Sequence, residues 1–521
     1  MNHHYRFFAP AFCLALSFTC LQALGQTYNP TTSGGNGNTA GGFSALPETA
    51  GTANTAFGDD ALRNNTGASN TAIGYGALVG NSAGSYNTAT GFQALTRNTT
   101  GNYNTATGWQ ALQSNSTGTD NTGTGVNALA NNTTGKDNTA HGFNTLISNV
   151  TGINNTASGS QALYSNGPSS PGGTDDGHDN TASGAFVLYS NTTGYYNTAS
   201  GSQALYFNTT GNNNTASGSL ALNNNTTGVK NTATGAETLA NNNGNYNTAT
   251  GYESLNINST GANNTATGYQ ALQNNAYGIN NTAEGSQALQ DNSTGNGNNA
   301  FGLEAMLHNT TGSRNTGLGN QALLNNTSGS TNLALGYLAG ESLTTGSNNI
   351  YVGGNAATGA ESDTIRIGSP TQKATYIAGI SGVNVSGATV LVGSNGQLGV
   401  MMSSARYKQD IQPMADSSEP LMRLKPVTFH YKQDPQGDLQ YGLIAEDVAR
   451  VYPELVIKDA DGQVQTIRYQ ELTPMLLNEV QKQALALKQK DEQIAALAAR
   501  LDALEQRVAD SGSIKVAVAG R

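Results

Sequence analysis

A motif that returns every seventeen residues constrains this chain more than any other feature. Asn-Thr-Ala-x-Gly, or a close variant, begins at Asn54, Asn70, Asn87, Asn104, Asn121, Asn138 and Asn155. It resumes at Asn180, Asn197, Asn214, Asn231, Asn247, Asn264, Asn281, Asn298, Asn315 and Asn332. The step is 17 residues apart from two steps of 16 and one of 25. Degenerate copies begin at Asn38 and Asn349. A fixed period of this length is the signature of stacked architectures, in which each unit contacts its neighbours along one axis.

The full unit is close to Asn-Thr-Ala-x-Gly-x-x-Ala-Leu-x-x-Asn-x-Thr-Gly-x-x. Thr-Ala-Thr reads as a short alternating strand that Gly ends, and Ala-Leu supplies a second small apolar patch. Asn-x-Thr-Gly reads as turn chemistry, with Asn and Gly tolerating positive φ. One unit buries almost nothing alone, but stacked units place Ala on Ala and Leu on Leu in a thin continuous core. The expected fold is therefore mainly β, with a β-solenoid or β-roll shaft over residues 26–340. At about 4.8 Å between stacked strands, about 18 coils would make a rod of roughly 85 Å. The 25-residue step, which contains Gly167 to Asp179, reads as a surface loop pushed out of one coil.

Composition agrees with a repeat protein and disagrees with a conventional enzyme. Of 521 residues, 65 are Gly, only 36% are hydrophobic and 11% are charged. Small polar residues cannot bury the apolar area that an ordinary globular core needs. Low charge and only 12 Pro also argue against a disordered chain. Thr-x-Thr pairs such as Thr88/Thr90, Thr105/Thr107 and Thr265/Thr267 suggest an ice-binding face, but Ser, Ile, His or Glu often replaces the second Thr. Calcium-binding repeats need recurring Gly-Gly-x-Gly-x-Asp, and Asp is scarce in these units. The Asn-x-Thr sequons read as turn residues before glycan sites. A rigid spacer or adhesive shaft is the simplest function for the repeats.

Met1 to Gly25 reads as a secretory signal: His3, His4 and Arg6 precede an apolar run, and Ala23-Leu24-Gly25 supplies small residues for cleavage. Both cysteines, Cys13 and Cys20, fall inside it, so the mature chain is expected to have no thiol, disulfide or cysteine metal site. No cofactor and no metal is expected. No later stretch reads as a transmembrane helix, and the expected location is secreted or cell surface. Residues 26–402 carry 7 basic and 16 acidic side chains, and residues 403–521 carry 15 and 17. Neither part offers a basic stripe, so no nucleic acid partner is expected.

Composition changes sharply after Asn395, since no further Asn occurs before Asn478. Residues 341–402 read as a β-rich neck, with strand-like runs at Thr364–Gly368, Thr375–Ile380, Val390–Val392 and Leu398–Val400. Residues 403–480 read as a small α+β domain. Val427–Tyr431, Tyr441–Ala445 and Thr466–Tyr469 are its strand candidates, Glu446–Val451 is a short helix, and a longer helix runs from Leu472. That helix continues as a coiled coil over 481–509, followed by a tail at 510–521. Val480, Leu487, Ile494, Leu501 and Val508 recur every seven residues, with Leu497 and Leu504 at the companion position. Gln483 and Lys490 make that companion position polar earlier on, a device that fixes register and oligomer state. Three strands are the expected number.

Two resemblances follow from these residues. The repeats resemble the β-roll heads of trimeric autotransporter adhesins, with a similar Asn-x-x-x-Gly core, although the unit here is longer and no C-terminal membrane anchor follows. The run Ser403-Ser404-Ala405-Arg406-Tyr407-Lys408-Gln409-Asp410-Ile411 is similar to the start of the intramolecular chaperone of endosialidase family. These are self-cleaving C-terminal domains of phage tailspikes and tail fibres. Tyr441 to Val448 and Tyr469 to Leu477 resemble that family's later segments, in the same order.

The second resemblance implies a Ser-Lys dyad, with Ser403 as nucleophile and Lys408 as general base, cutting the Met402–Ser403 bond. A hydroxyl needs an adjacent base, and an amine serves only when it is neutral. Arg406 and Glu446 are the supporting positions implied. Ser404 stands where the family often has Asp, and Glu446 where many members have Gln or His; a carboxylate close to Lys408 would favour the charged amine. The functional expectation is an exported homotrimeric, adhesin-like fibre whose C-terminal domain drives assembly and then cuts itself free. The alternative is an uncleaved structural or adhesive fibre, with that domain serving only as a trimerisation clamp. An unidentified surface or glycan is the expected ligand of the shaft. Glycan cleavage by the repeats is disfavoured, because Asp59/Asp60 and Asp175/Asp176 are isolated pairs rather than a recurring set.

Overall fold

A computed structural model describes residues 36–516 except 48–49, 168–176, 355–357, 379–385, 394 and 460. The expected signal at 1–25 with Cys13 and Cys20, Asp175/Asp176 and the end of the tail lie outside the described residues. So do the side chains beyond Asp510 and the last two residues of the run Thr375–Ile380. The chain divides after Thr375 into two compact units.

The first unit is a β-solenoid. Twenty strands of three residues form one parallel sheet, from Thr39–Gly41 to Ile365–Ile367. Each strand pairs in register with its equivalent in the next coil, as in Thr88↔Thr105, Ala89↔Ala106 and Thr90↔Thr107. Stacked at about 4.8 Å per coil, twenty strands extend about 90 Å. Two strands lie beyond Glu341, at Ile350–Val352 and Ile365–Ile367, and both join this sheet.

The central Ala of each strand is buried and its neighbours face outward. Ala128 and Leu129 of the second patch are also fully buried, and their equivalents in successive coils form one core with the strand alanines. Leu129 adopts φ 54°, and its counterparts Leu112, Leu146 and Leu163 do the same. This left-handed conformation costs an ordinary residue roughly 1–2 kcal/mol. Burial of the Leu side chain, on the order of 1.5–3 kcal/mol, offsets it.

The Asn of Asn-x-Thr-Gly has a role different from the turn residue expected. Asn132 is fully buried and absent from the positive-φ set; it donates to Asn115 Oδ1 at 2.8 Å and to the Gly135 carbonyl at 3.1 Å. Asn149 donates in turn to Asn132 Oδ1 at 2.8 Å, and the ladder continues along the shaft. The Asn that opens each repeat forms a second ladder. Asn138 Nδ2 donates to Asn121 Oδ1 at 3.1 Å and to the Gly152 carbonyl at 2.7 Å, and Asn138 N–H shares that Oδ1. These polar columns satisfy buried amides, which would otherwise carry a large desolvation cost. The residue given positive φ in the approach to each strand is instead the one before the opening Asn, such as Asp137 at 57°.

The core column changes character at its C-terminal end. Tyr351 and Arg366 stand where Ala stands in earlier strands. Tyr351 is fully buried, and its hydroxyl donates to Glu361 Oε1 at 2.8 Å. Arg366 holds Glu361 through Nε at 2.9 Å and Nη2 at 2.7 Å. The Arg366 guanidinium holds the Glu361 carboxyl below its ordinary value, while burial pushes the Tyr351 phenol far above its own.

In the second unit, Val390–Val392 pairs antiparallel with Leu398–Val400, and Val427–Phe429 with Gln440–Gly442. Helix α1 spans Ala445–Val451 and helix α2 spans Tyr469–Val516. Val456–Lys458, not expected as a strand, pairs with Val464–Ile467. Leu421, Val448, Tyr452, Leu455, Val456, Ile467, Leu472 and Met475 form a compact core between these elements. Among the described residues no helix is long and apolar enough to cross a membrane.

Candidate functional site

Ser403 follows the strand Leu398–Val400 by three residues and opens a tight reversal. Ser404 caps a single 3-10 turn over Ala405–Tyr407, and the Ser404 carbonyl accepts from Tyr407 N–H at 3.0 Å. Lys408 N–H donates to the Ala405 carbonyl at 3.1 Å. This turn folds the chain back so that residues five apart in sequence meet: Lys408 Nζ donates to Ser403 Oγ at 3.2 Å. Met402, Ser403 and Lys408 are all exposed.

A serine hydroxyl within hydrogen-bond reach of an amine is the minimum geometry for a nucleophile and its base. Among the described residues neither of the other two expected side chains bonds to that pair. Arg406 lays its guanidinium over the Tyr407 ring at 4.8 Å from the centroid, a contact that stiffens the turn. Glu446 is exposed in the first turn of α1, and among the described residues it is neither hydrogen-bonded nor ion-paired to Lys408. The carboxylate that the sequence places in the family's Gln or His position therefore does not bond to the amine in the single chain.

C-terminal to the turn in sequence, residues 415–423 are clamped to α2 around Asn478–Lys482. Ser418 is buried and donates to Glu479 Oε1 at 2.6 Å, while Asn478 Nδ2 donates to the Ala415 carbonyl at 2.8 Å. Lys482 reaches Asp416 at 3.0 Å and Glu479 at 3.3 Å. The Ser418 hydroxyl and Lys482 together hold the Glu479 carboxyl below its ordinary range. Tyr452 adds a bond to the Ser417 carbonyl at 3.1 Å. These residues have no periodic or motif signal in the sequence, because their hydrogen-bond partners lie 35 to 63 positions away. Tyr469 similarly ties the start of α2 to the strand region, its hydroxyl accepting from Leu443 N–H at 2.9 Å.

No curated protein and no solved structure matches the chain. Residues 403–457 match the model of the family described as chaperone of endosialidase. The matched segment opens on Ser403 and includes Lys408, the 415–423 turn and α1; α2 lies beyond it. A segment that matches the chaperone-of-endosialidase family thus follows a seventeen-residue-repeat β-solenoid, and this combination supports a tailspike-like or tail-fibre-like protein with an intramolecular chaperone.

Proposed function

We propose that the chain is an exported homotrimeric fibre whose C-terminal residues 403–521 register three copies and are then released by self-cleavage at Met402–Ser403. The observation that carries this reading is the 3.2 Å contact between Lys408 Nζ and Ser403 Oγ at the first residue of the family match. The heptad positions of α2 support trimerisation: Leu487, Ile494, Leu497, Leu501 and Leu504 are all exposed in a single chain. A three-stranded coil over 481–509 would bury them.

The nucleophile and the scissile nitrogen belong to one residue, which dictates the order of steps. Ser403 Oγ attacks the Met402 carbonyl carbon while its proton passes to Lys408. The C–N bond then breaks, the nitrogen takes a proton from Lys408, and an ester joins Met402 to Ser403 Oγ. Water hydrolyses that ester, leaving a Met402 carboxylate, the Ser403 hydroxyl and a new amino terminus. One water is consumed and Lys408 ends unchanged. A lysine works as a base in its neutral form, which burial favours. A single chain leaves this turn exposed, so packing of neighbouring copies around it would couple cleavage to assembly.

Registration at one end also has a physical purpose. Parallel pairing of near-identical coils is slow and prone to slippage. A clamp that unites the C-termini removes most wrong registers, and its later loss makes the assembled shaft kinetically hard to reverse.

The test is to express the chain beside Ser403→Ala and Lys408→Ala and compare intact masses and denaturing gels. The expected result is a wild-type fragment beginning at Ser403, with both variants uncut. Hydroxylamine should release the fragment from any trapped ester. If all three proteins stay full length as trimers, the domain is a clamp without protease activity.

A further inference from the structure

The outward face of the shaft changes chemistry over its last five strands. From Thr88–Thr90 to Thr265–Thr267 the outward positions are Thr or Ser, with one His at His141. Beginning at Phe301, the third position of every strand is apolar. Phe301, Leu318, Leu335, Val352 and Ile367 are register neighbours, each directly beside the next. The first position follows with Leu333, Ile350 and Ile365. Leu335 is 43% exposed, Ile365 66% and Ile367 74%.

This is a contiguous apolar face, five strands or about 20 Å along the stack, on a sheet that presents mainly hydroxyls from Thr88 to Thr267 and has a shorter apolar pair, Phe57 beside Ile73, near its N-terminal end. The chain's inner core is already complete beneath it: Ala300, Ala334 and Tyr351 are fully buried. The apolar side chains are therefore not displaced core residues. Contiguous exposed apolar surface of this kind marks an interaction site.

We infer that this face is where the shafts of separate copies of this chain meet, as a collar confined to Phe301–Ile367. Three observations select a second copy over other occupants. The face carries no charge, since Arg366 turns inward to Glu361, so it offers nothing to an anionic glycan or a nucleic acid. Identical in-register sheets grouped about an axis present identical columns to one another, so one apolar column suffices for all copies. Finally, the same chain carries a second exposed apolar seam on α2, formed by Leu487, Ile494, Leu497, Leu501 and Leu504. Association of that seam would hold copies of the collar at high effective concentration, so modest apolar contacts would suffice to join them. The threonine-bearing coils N-terminal to the collar remain separate.

The inference rests on the homotrimer reading, and the test separates the two. In a chain with Cys13→Ser and Cys20→Ser, single cysteines are introduced at Leu335, Ile367, Thr250 or Leu487 and treated with a short bismaleimide. All four side chains are exposed, so the fold tolerates the changes. Chain-to-chain products are expected from Leu335→Cys, Ile367→Cys and Leu487→Cys, but at least tenfold less from Thr250→Cys. Products from Leu487→Cys alone would overturn the collar and leave the trimer standing. Equal products from Thr250→Cys would overturn its confinement to the apolar strands. A monomer by light scattering, with no products anywhere, would overturn both readings.

Discussion

At the residue scale the shaft is built from asparagine amides as much as from its alanines and leucines. Along most of the ladder a buried Asn accepts from one neighbour and donates to another, so an interruption is felt in two coils; Asn326, whose buried Oδ1 accepts from no partner, only donates. Asn132→Ala removes the donor to Asn115 Oδ1 and the acceptor of Asn149 Nδ2. Leaving such a group unpaired costs about 1–3 kcal/mol. The expected outcome is a lower urea midpoint, with faster amide exchange concentrated in the coils around 115–149. Exposed Thr105→Ala on the same shaft should shift the midpoint little. Gly142 is a second sensitive position, because it holds φ 132° and an added Cβ would lie 2.6 Å from the Gly159 carbonyl oxygen. Gly142→Ala should therefore destabilise more than Asn132→Ala in the same titration. The sequence shows where these residues recur, yet a buried ladder and an exposed turn share one periodicity. The spacing of the Asn was legible; its burial was not.

At the element scale the end of the solenoid is where pH should act. Glu361 has a depressed folded-state value, held down chiefly by Arg366. Its contribution is present at neutral pH and is lost as pH falls below the ordinary carboxylate value of 4.5 toward the lower folded one. Melting followed between pH 7 and pH 3 should show acid destabilisation of the last coils in the native chain. Glu361→Gln should melt lower at pH 7 and lose part of that acid dependence. An unchanged acid profile in the variant would show that the ion pair adds nothing to the cap. The elements of the second unit were readable because strands and helices there alternate in ordinary patterns. Val427–Phe429 and Ala445–Val451 lie within the expected elements or one residue outside them, whereas α2 begins at Tyr469, a residue expected to end a strand, and extends to Val516 beyond the expected coil. The strand Val456–Lys458 carries no signal of its own in the sequence, because it is three residues long and follows Pro453 and a 3-10 turn directly.

At the scale of the whole molecule, assembly and cleavage are predicted to be linked. Leu497→Asp places a charge in the helix seam without touching Ser403 or Lys408. The light-scattering mass should fall from three chains to one, and the fragment beginning at Ser403 should vanish. Full cleavage by the monomeric variant would break the proposed link. The sequence by itself determined the repeat architecture, because only stacking lets units of Ala, Leu, Asn and Gly share a core. It also determined the C-terminal segment, through a run of residues whose order is specific. Tertiary structure alone decided three things that depend on contacts between residues distant in the chain. It put the second Asn into a buried ladder and made leucines adopt left-handed backbone. It also set Lys408 against Ser403 through one 3-10 turn, with Glu446 not bonded to that amine among the described residues. Periodicity records which residues are equivalent, whereas burial, handedness and reach follow only when the coils and turns close on one another.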